Sequence, residues 1–300
     1  PQKVPDFGLV TDTNFPVCYG EKGLMRAKIR HLAEGNLVGF HAGSVVNVIP
    51  SKAEAVVRGI SQEEARKRME KNRRITVEED KEGVRITASG ISRHAAFPEG
   101  SLNAVHVLAE ALDASGILTG SSRDAVKALS VLTGDDYGHG AGIPFEDQES
   151  GKLTCIGSLA RLEDGVLSVS FDIRYPVTVK GEDVEEAFRE RVNGMGFSYE
   201  AGELSPPAYV PLSHPYIPLL SSICDYVQGK HYEPYTMGGG TYSRHLPAAI
   251  GFGPGVPDAP NPFGDGHGQG HQPDECVPLD MLLKGIKTYI LSLVELDKVL

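Results

Sequence analysis

The sequence predicts an α/β layer that is interrupted by an inserted α+β region. Three features predict this: a short apolar strand near the N-terminus, a Gly/Pro-rich stretch from Met237 to Glu275 followed by an apolar-periodic helix, and a long middle region of alternating strands and amphipathic helices. We expect residues 1–24 and 212–300 to form one discontinuous domain. Residues 25–211 would then be the insertion, a lid or accessory domain.

The first segment reads as two short strands. Phe7, Leu9 and Val10 predict a strand that ends at Thr11-Asp12, and a second strand runs from Val17 to Tyr19. Asp12 therefore stands at a strand end, where aspartate is commonly a turn former or a cap. Its position alone does not distinguish that role from a functional one.

The inserted region is predicted to contain two similar α+β units. The first begins at Met25 with MRAKIRHLA and has strand-like alternation over 36–60, a helix over 61–74 that opens with a Ser-x-x-Glu capping box, and a helix from Ala104 to Leu112. The second has a helix over 124–134, a hairpin that turns at Glu163-Asp164-Gly165, and a helix over 183–196. No sequence repeat supports the similarity of the two units.

The C-terminal stretch has the composition of a ligand site. It contains three consecutive glycines, Gly238 to Gly240, then a Thr-Tyr-Ser-Arg run, and later two histidines, His267 and His271, in a Gly/Pro-rich loop. Consecutive glycines are entropically costly and suit a backbone that must approach a ligand closely. A helix should follow, because apolar residues recur at helical spacing at Leu279, Leu282, Leu283, Ile286, Tyr289, Ile290, Leu293 and Val294.

Composition bounds the possible functions. The chain has 300 residues, 40% hydrophobic and 23% charged, which is typical of a globular protein. Its net charge of -11 argues against nucleic acid or an anionic membrane as the main partner. With no basic-plus-apolar leader and no run of eighteen apolar residues, we expect a cytoplasmic protein. The four cysteines lack CxxC spacing, so we expect reduced thiols rather than disulfides or a zinc ribbon.

Eight segments, in order, resemble one known family. They are Asp12 in VTDTNFPVCYGEKG, then SVVNVIPSKAEAVV, GISRHAAFPEGSLNA, FEDQESGKLTCIGS, DIRYP, GGGTYSR, FGPG and HQPDE. Together they resemble the zinc-dependent dipeptidase branch of the exopeptidase family that includes carnosinase, aminoacylase and the bacterial Xaa-His dipeptidases. The resemblance implies a zinc-exopeptidase catalytic layer with an inserted lid.

The resemblance also implies roles for individual residues. Asp12 would ligate one zinc ion and His271, which precedes Gln-x-x-Glu, would ligate the other. His267 is the rival for His271 but lacks that following pattern. His94 of the lid would polarise the scissile carbonyl, and Asn47 would help to hold the substrate.

The substrate-binding residues implied by the resemblance are Arg174, Gly240, Thr241 and Arg244. The two arginines would receive the C-terminal carboxylate of the substrate, for which a guanidinium fork is well suited. Gly240 and Thr241 would supply close backbone and hydroxyl contacts. The alternatives without a functional role are a structural His94 and an Arg174 that extends to solvent from a sheet edge.

The sequence departs from the family pattern in its catalytic carboxylates. The family's His-x-Asp segment, bridging aspartate and Glu-Glu pair do not precede Asp12. The pairs Glu63-Glu64, Glu78-Glu79 and Glu185-Glu186 are expected to be surface charge. The chain is therefore expected to be the C-terminal part of such an enzyme, inactive and zinc-poor alone, and covered by the missing N-terminal half or by another chain.

The activity implied for the parent enzyme is hydrolysis of dipeptides that carry a free C-terminal carboxylate, by zinc-activated water with an oxyanion donor. The long lid favours a dipeptidase. Two alternatives remain open: a deacylase of N-acyl amino acids with the same fold, and a non-catalytic binding protein on an inactive peptidase scaffold.

Overall fold

A computed structural model describes residues 5–264, 267–268 and 274–299. The chain divides into two compact units. One unit combines the segments Pro1–Lys22 and Pro207–Leu300, and the other is the continuous segment Gly23–Pro206. The strands of the first segment are β1 (Gly8–Val10), β2 (Thr13–Asn14) and β3 (Cys18–Glu21), which confirms the two apolar strands predicted there.

The continuous unit contains ten strands and four helices, all within described residues. The strands are β4 (Gly23–Leu32), β5 (Leu37–Ala42), β6 (Lys52–Val57), β7 (Ile75–Asp80), β8 (Gly83–Ser89), β9 (Glu146–Asp147), β10 (Gly151–Lys152), β11 (Thr154–Glu163), β12 (Val166–Tyr175) and β13 (Ser198–Ser205). The helices are α1 (Gln62–Met69), α2 (Ala104–Ser115), α3 (Ser121–Leu132) and α4 (Gly181–Gly194).

Eight of these strands form one antiparallel sheet in the order β13-β4-β12-β11-β5-β6-β8-β7. Its two four-stranded halves meet where β5 pairs with β11, through Ala42 opposite Ala160 and His41 opposite Arg161. The first strand in sequence, β4, lies in the second half, between β12 and β13. The order of segments along the chain assigned β4 to the first predicted unit, and that assignment is wrong because its partners lie more than a hundred residues away.

Local signals set the ends of the elements in this unit. The Ser61 hydroxyl accepts a hydrogen bond from the Glu64 backbone N–H at 3.2 Å, so the predicted cap of α1 is confirmed. The helix ends at Met69, shorter than predicted. The β11–β12 hairpin turns at Asp164 and Gly165, with φ of 50° and 74°, as the sequence predicts.

The core of the continuous unit lies between the sheet and its helices. It includes Ile29, Ile86, Leu108, Leu129 and Phe171, all fully buried. Helix α2 is fixed to the sheet by its cap residue Asn103, whose side chain accepts from the Val105 N–H and donates to the Gly157 carbonyl, each at 2.9 Å. This bond joins a helix end to strand β11.

The C-terminal segment completes the discontinuous unit. Its elements are β14 (Ala208–Tyr209), α5 (Tyr216–Gln228), β15 (Tyr235–Met237), a 3₁₀ helix (Tyr242–His245), β16 (Ala249–Gly251), β17 (Pro254–Gly255) and α6 (Leu279–Asp297). A mixed sheet has the order β1-β16-β3-β14, and β15 runs parallel to β3 on a branch of that path. A second core, which includes Phe15, Leu220 and Phe252, supports this sheet.

Helix α6 confirms the predicted helix, but most of the large apolar residues that predicted it are not on its buried side. Its small residues Gly285, Thr288 and Ser292 are buried, whereas most of its large apolar side chains are exposed. Tyr289 donates to the Phe252 carbonyl at 3.0 Å, which anchors the helix on its small face. Periodicity marks an apolar stripe, but the packing partner decides which residues are covered.

Two further predictions concern compartment and thiols. Among the described residues, no helix has both the length and the apolar character needed to cross a membrane. All four cysteines are free, and Cys276 is exposed. Burial raises the pKa of the Cys18 and Cys224 thiols to about 12, so both stay protonated at neutral pH.

Candidate active site

His94 and Asn47, separated by 47 residues in sequence, lie side by side in the continuous unit. Backbone hydrogen bonds pin their two segments together: the Ala95 N–H donates to the Asn47 carbonyl and the Ile49 N–H to the Arg93 carbonyl, both at 2.9 Å. The side-chain amide of Asn47 lies 3.3 Å from Nε2 of His94, and the His94 side chain is exposed. The structure therefore brings together two of the predicted site residues.

The backbone also selects the tautomer of His94. The Ala96 N–H donates to Nδ1 of His94 at 3.1 Å, so Nδ1 is an acceptor without a proton. In the neutral ring the proton then resides on Nε2, the atom beside Asn47. The Asn47 atom placed there is Nδ2, a donor, so Asn47 can accept from a protonated Nε2 only after its amide turns Oδ1 toward the ring. A histidine held this way is a hydrogen-bond donor at Nε2, as an oxyanion donor must be.

Arg174 lies on β12 in a buried ion pair. Its Nε donates to Oδ1 of Asp172 at 2.6 Å and its Nη2 to Oδ2 at 3.0 Å. The two residues are neighbours on one face of the strand, and the Asp172 side chain is completely buried. Strand β12 lies between β4 and β11, so the alternative of an arginine at a sheet edge is wrong. Arg26, 3.6 Å from Asp172, adds a second cation.

The glycine-rich turn after β15 holds three further predicted residues: Gly240, Thr241 and Arg244. The Arg244 guanidinium occupies the space beside Gly240, where a Cβ would stand only 1.5 Å from its Nη2 atom. The Thr241 hydroxyl caps the 3₁₀ helix by accepting from the Ser243 N–H at 3.1 Å. Gly240 is thus needed for the position of the Arg244 side chain.

Thr241 and Arg244 lie against a carboxylate that was not predicted from the sequence, Glu21 at the end of β3. Glu21 is 1% exposed. Thr241 donates its N–H to Oε2 at 2.8 Å and its hydroxyl to Oε1 at 2.6 Å. Nη2 of Arg244 lies 3.8 Å from Oε2. The signal for it was an acidic residue that follows the apolar strand Val17 to Tyr19 directly before Lys22 and Gly23.

The predicted zinc ligands are only partly described. Asp12 is exposed between β1 and β2, and His271 lies outside the described residues. The rival His267 is exposed and its Nδ1 lies 2.9 Å from Asp274. Within residues 5–264, 267–268 and 274–299, no group of three His, Cys, Asp or Glu side chains is placed to hold a metal ion. Zinc normally takes three or four protein ligands, so the described residues alone do not fit one.

The predicted surface role of the glutamate pairs is confirmed for all but one of the six side chains. Glu63, Glu64, Glu78, Glu79 and Glu186 are exposed. Glu185 is half-buried, and its carboxylate accepts a hydrogen bond from the Tyr199 hydroxyl at 2.9 Å. That bond helps to raise the pKa of Tyr199, after the larger effect of burial.

The chain is similar in sequence to proteins that are named as dipeptidases. No family model matches the chain. It is 29% identical over 312 residues to "Putative dipeptidase YtjP" of Bacillus subtilis, across 99% of this chain and 65% of that protein. It is 27% identical over 307 residues to a "Putative dipeptidase" of Staphylococcus epidermidis, across 96% of this chain and 63% of that protein. The chain thus spans less than two thirds of the length of these relatives.

A solved structure shares the fold. The aminoacylhistidine dipeptidase from Vibrio alginolyticus superposes with a TM-score of 0.52, 12% identity, and coverage of 97% of this chain and 65% of that chain. The predicted α/β class with an inserted α+β region is confirmed. The proteins that resemble this chain in sequence or fold therefore include proteins named as dipeptidases.

Proposed function

We propose that this chain belongs to a metal-dependent dipeptidase that acts on dipeptides with a free C-terminal carboxylate. The pairing of exposed His94 with Asn47, together with the tautomer set by Ala96, carries the proposal. It supplies an oriented N–H donor of the kind that stabilises the oxyanion formed when a peptide carbonyl is attacked. The names of the sequence relatives support the same class of reaction.

The roles proposed for the other residues follow from their chemistry. Arg174 and Arg244 bind the substrate carboxylate, since charge-assisted hydrogen bonds to guanidinium are strong and directional. Gly240 and Thr241 supply close backbone and hydroxyl contacts to the substrate, and they also shape the turn that holds Arg244. Zinc is the proposed metal of the complete enzyme, with Asp12 and His271 on different ions. The peptide substrate is the proposed partner, with no role for nucleic acid or membranes.

The test compares a dipeptide with its C-terminal amide, using the protein expressed from its complete gene. The amide lacks the carboxylate and so loses a charge-assisted contact worth about 1.5–3 kcal/mol. Its kcat/KM should therefore be lower than that of the dipeptide by roughly a factor of ten to a hundred. Equal turnover of both would remove the two arginines from this role. Faster cleavage of N-acyl amino acids than of dipeptides would favour the deacylase alternative, and turnover of neither class the binding-protein alternative.

A further inference from the structure

Glu21, at the end of β3, is a buried carboxylate that lies against the turn containing Arg244. Both of its oxygen atoms accept from Thr241, from the hydroxyl at 2.6 Å and from the backbone N–H at 2.8 Å. A carboxylate with 1% exposure must be compensated by hydrogen bonds and charge, because its desolvation is costly. The groups that supply this compensation are the ones proposed to bind substrate.

The strand pairing explains how Glu21 reaches the turn. Strand β15 runs parallel to β3, with Met237 opposite Glu21, and the Lys22 N–H donates to the Met237 carbonyl at 2.9 Å. The glycine run leaves β15 directly after Met237 and folds back over the end of β3. The Arg244 side chain, about one-tenth exposed, then lies with Nη2 3.8 Å from Glu21 Oε2 and 3.5 Å from the Lys22 carbonyl.

We infer that Glu21 is a positioning residue, which holds Arg244 and Thr241 in the geometry that recognises the substrate carboxylate. The inference rests on the proposed function, which assigns Arg244 to that carboxylate. A guanidinium held by a buried anion keeps one orientation and does not have to be ordered when substrate binds. Glu21 acts through Arg244 and does not itself touch the substrate.

The alternative role for a carboxylate at this place is proton transfer. Its geometry argues against that role: Oε1 accepts from the Thr241 hydroxyl, Oε2 accepts from the Thr241 N–H, and the side chain is 2% exposed. A general base must lie within hydrogen-bond reach of the proton that it removes. A buried carboxylate whose two oxygens both accept from Thr241 is suited to a positioning role instead.

The experiment measures discrimination, the ratio of kcat/KM for a dipeptide to kcat/KM for its C-terminal amide, in the zinc-loaded product of the complete gene. Glu21→Gln keeps the shape of the side chain but removes its charge. Discrimination should fall roughly ten- to a hundredfold, the range for one charged hydrogen bond, mainly through a higher KM for the dipeptide. Turnover of the amide should stay within about twofold, since the amide has no carboxylate to lose.

Two comparisons separate positioning from a general loss of folded protein. Glu54→Gln is the matched control, because Glu54 is also a strand glutamate paired with a cation, Lys52 at 3.0 Å, yet lies in the other unit. It should leave discrimination unchanged. In an Arg244→Ala background, Glu21→Gln should have no further effect on discrimination, because the two residues act as one unit.

Each remaining outcome overturns a different statement. If Arg244→Ala lowers discrimination and Glu21→Gln does not, the positioning role is wrong and the proposed function stands. Additive losses in the double variant would also reject it. If Glu21→Gln lowers both rates equally together with the melting temperature, Glu21 is only structural. If the wild type does not discriminate, the proposed carboxylate recognition is wrong, and the inference is overturned with it.

Discussion

His94 illustrates how a single backbone group can determine the chemistry of a side chain. A neutral histidine offers one donor and one acceptor, and which nitrogen carries the proton depends on the partner of the other. Here the Ala96 N–H occupies Nδ1, so Nε2 is the donor. The residue type was visible in the sequence, but the tautomer depends on the turn two residues further on.

The first prediction concerns His94. His94→Ala in the complete enzyme should lower kcat by roughly 10²–10³, the scale for losing one oxyanion donor. The metal content should not change. Steady-state kinetics and elemental analysis measure the two quantities. His139→Ala, which removes an exposed histidine of the same unit, is the control. An unchanged kcat would make His94 a structural residue.

His231, which follows helix α5, provides a pH-dependent contact. Its hydrogen bond to Asp225, at 2.6 Å from Nδ1, and then its bond to Glu233, at 3.1 Å from Nε2, raise its pKa above the usual 6.5. A raised pKa in the folded state means that folding favours the protonated ring. The resulting stabilisation is complete below pH 6.5 and is lost as the pH rises through the folded-state pKa.

We therefore expect the wild type to be more stable than His231→Ala in acid, with a smaller difference in base. Urea unfolding at pH 6 and at pH 9 measures it as a difference in midpoints. The effect should be small, because the ring is exposed and screened by solvent. The same difference in midpoints at both pH values would contradict the raised pKa.

At the scale of elements, the glycine turn shows why not all three glycines are equivalent. A Cβ on Gly240 would overlap the Arg244 guanidinium, whereas one on Gly239 would meet only the Met237 Cε, 4.0 Å away. The overlapping atoms on Arg244 belong to the far end of a flexible side chain, which can move away. An added methyl group at Gly240 should therefore displace Arg244 without breaking the fold.

Gly240→Ala should consequently lower the preference for a dipeptide over its amide about tenfold, as loss of the Arg244 contact would. Its melting temperature should stay near that of the wild type. Gly239→Ala is the matched control and should retain both properties. Equal behaviour of the two variants in the substrate comparison would show that Gly240 does not determine the position of Arg244.

At the scale of the whole molecule, the proposed zinc ligands determine what the 300-residue chain is expected to do by itself. Asp12 and His271 are proposed to serve different ions, and the part of the chain that the structure describes brings together no group of three ligands, the number that a catalytic zinc normally needs. We expect the isolated chain to retain no stoichiometric zinc and to hydrolyse no dipeptide. Elemental analysis after dialysis and a parallel assay test this; paired zinc with turnover would reveal ligands not identified here.

The sequence by itself determined the local elements and the chemical types at the candidate site. Sequence patterns predicted helices α2, α3, α4 and α6, the Ser61 cap predicted the start of α1, and Asp164-Gly165 predicted a hairpin. These signals are local, because a helix or a tight turn is specified by residues a few positions apart. The motif order likewise indicated His94, Asn47 and Arg244 before any contact was known.

The tertiary structure decided what those residues touch. Glu21 and Thr241 are 220 residues apart in sequence, and nothing in either segment indicates that a buried carboxylate will meet the glycine turn. The place of β4 in the second half of its sheet was decided in the same way, and so was the burial of Arg174 and Asp172, which lie two positions apart on β12. Burial and strand pairing depend on the whole fold, so a charge that looks solvated in the sequence can become the group that orients a site.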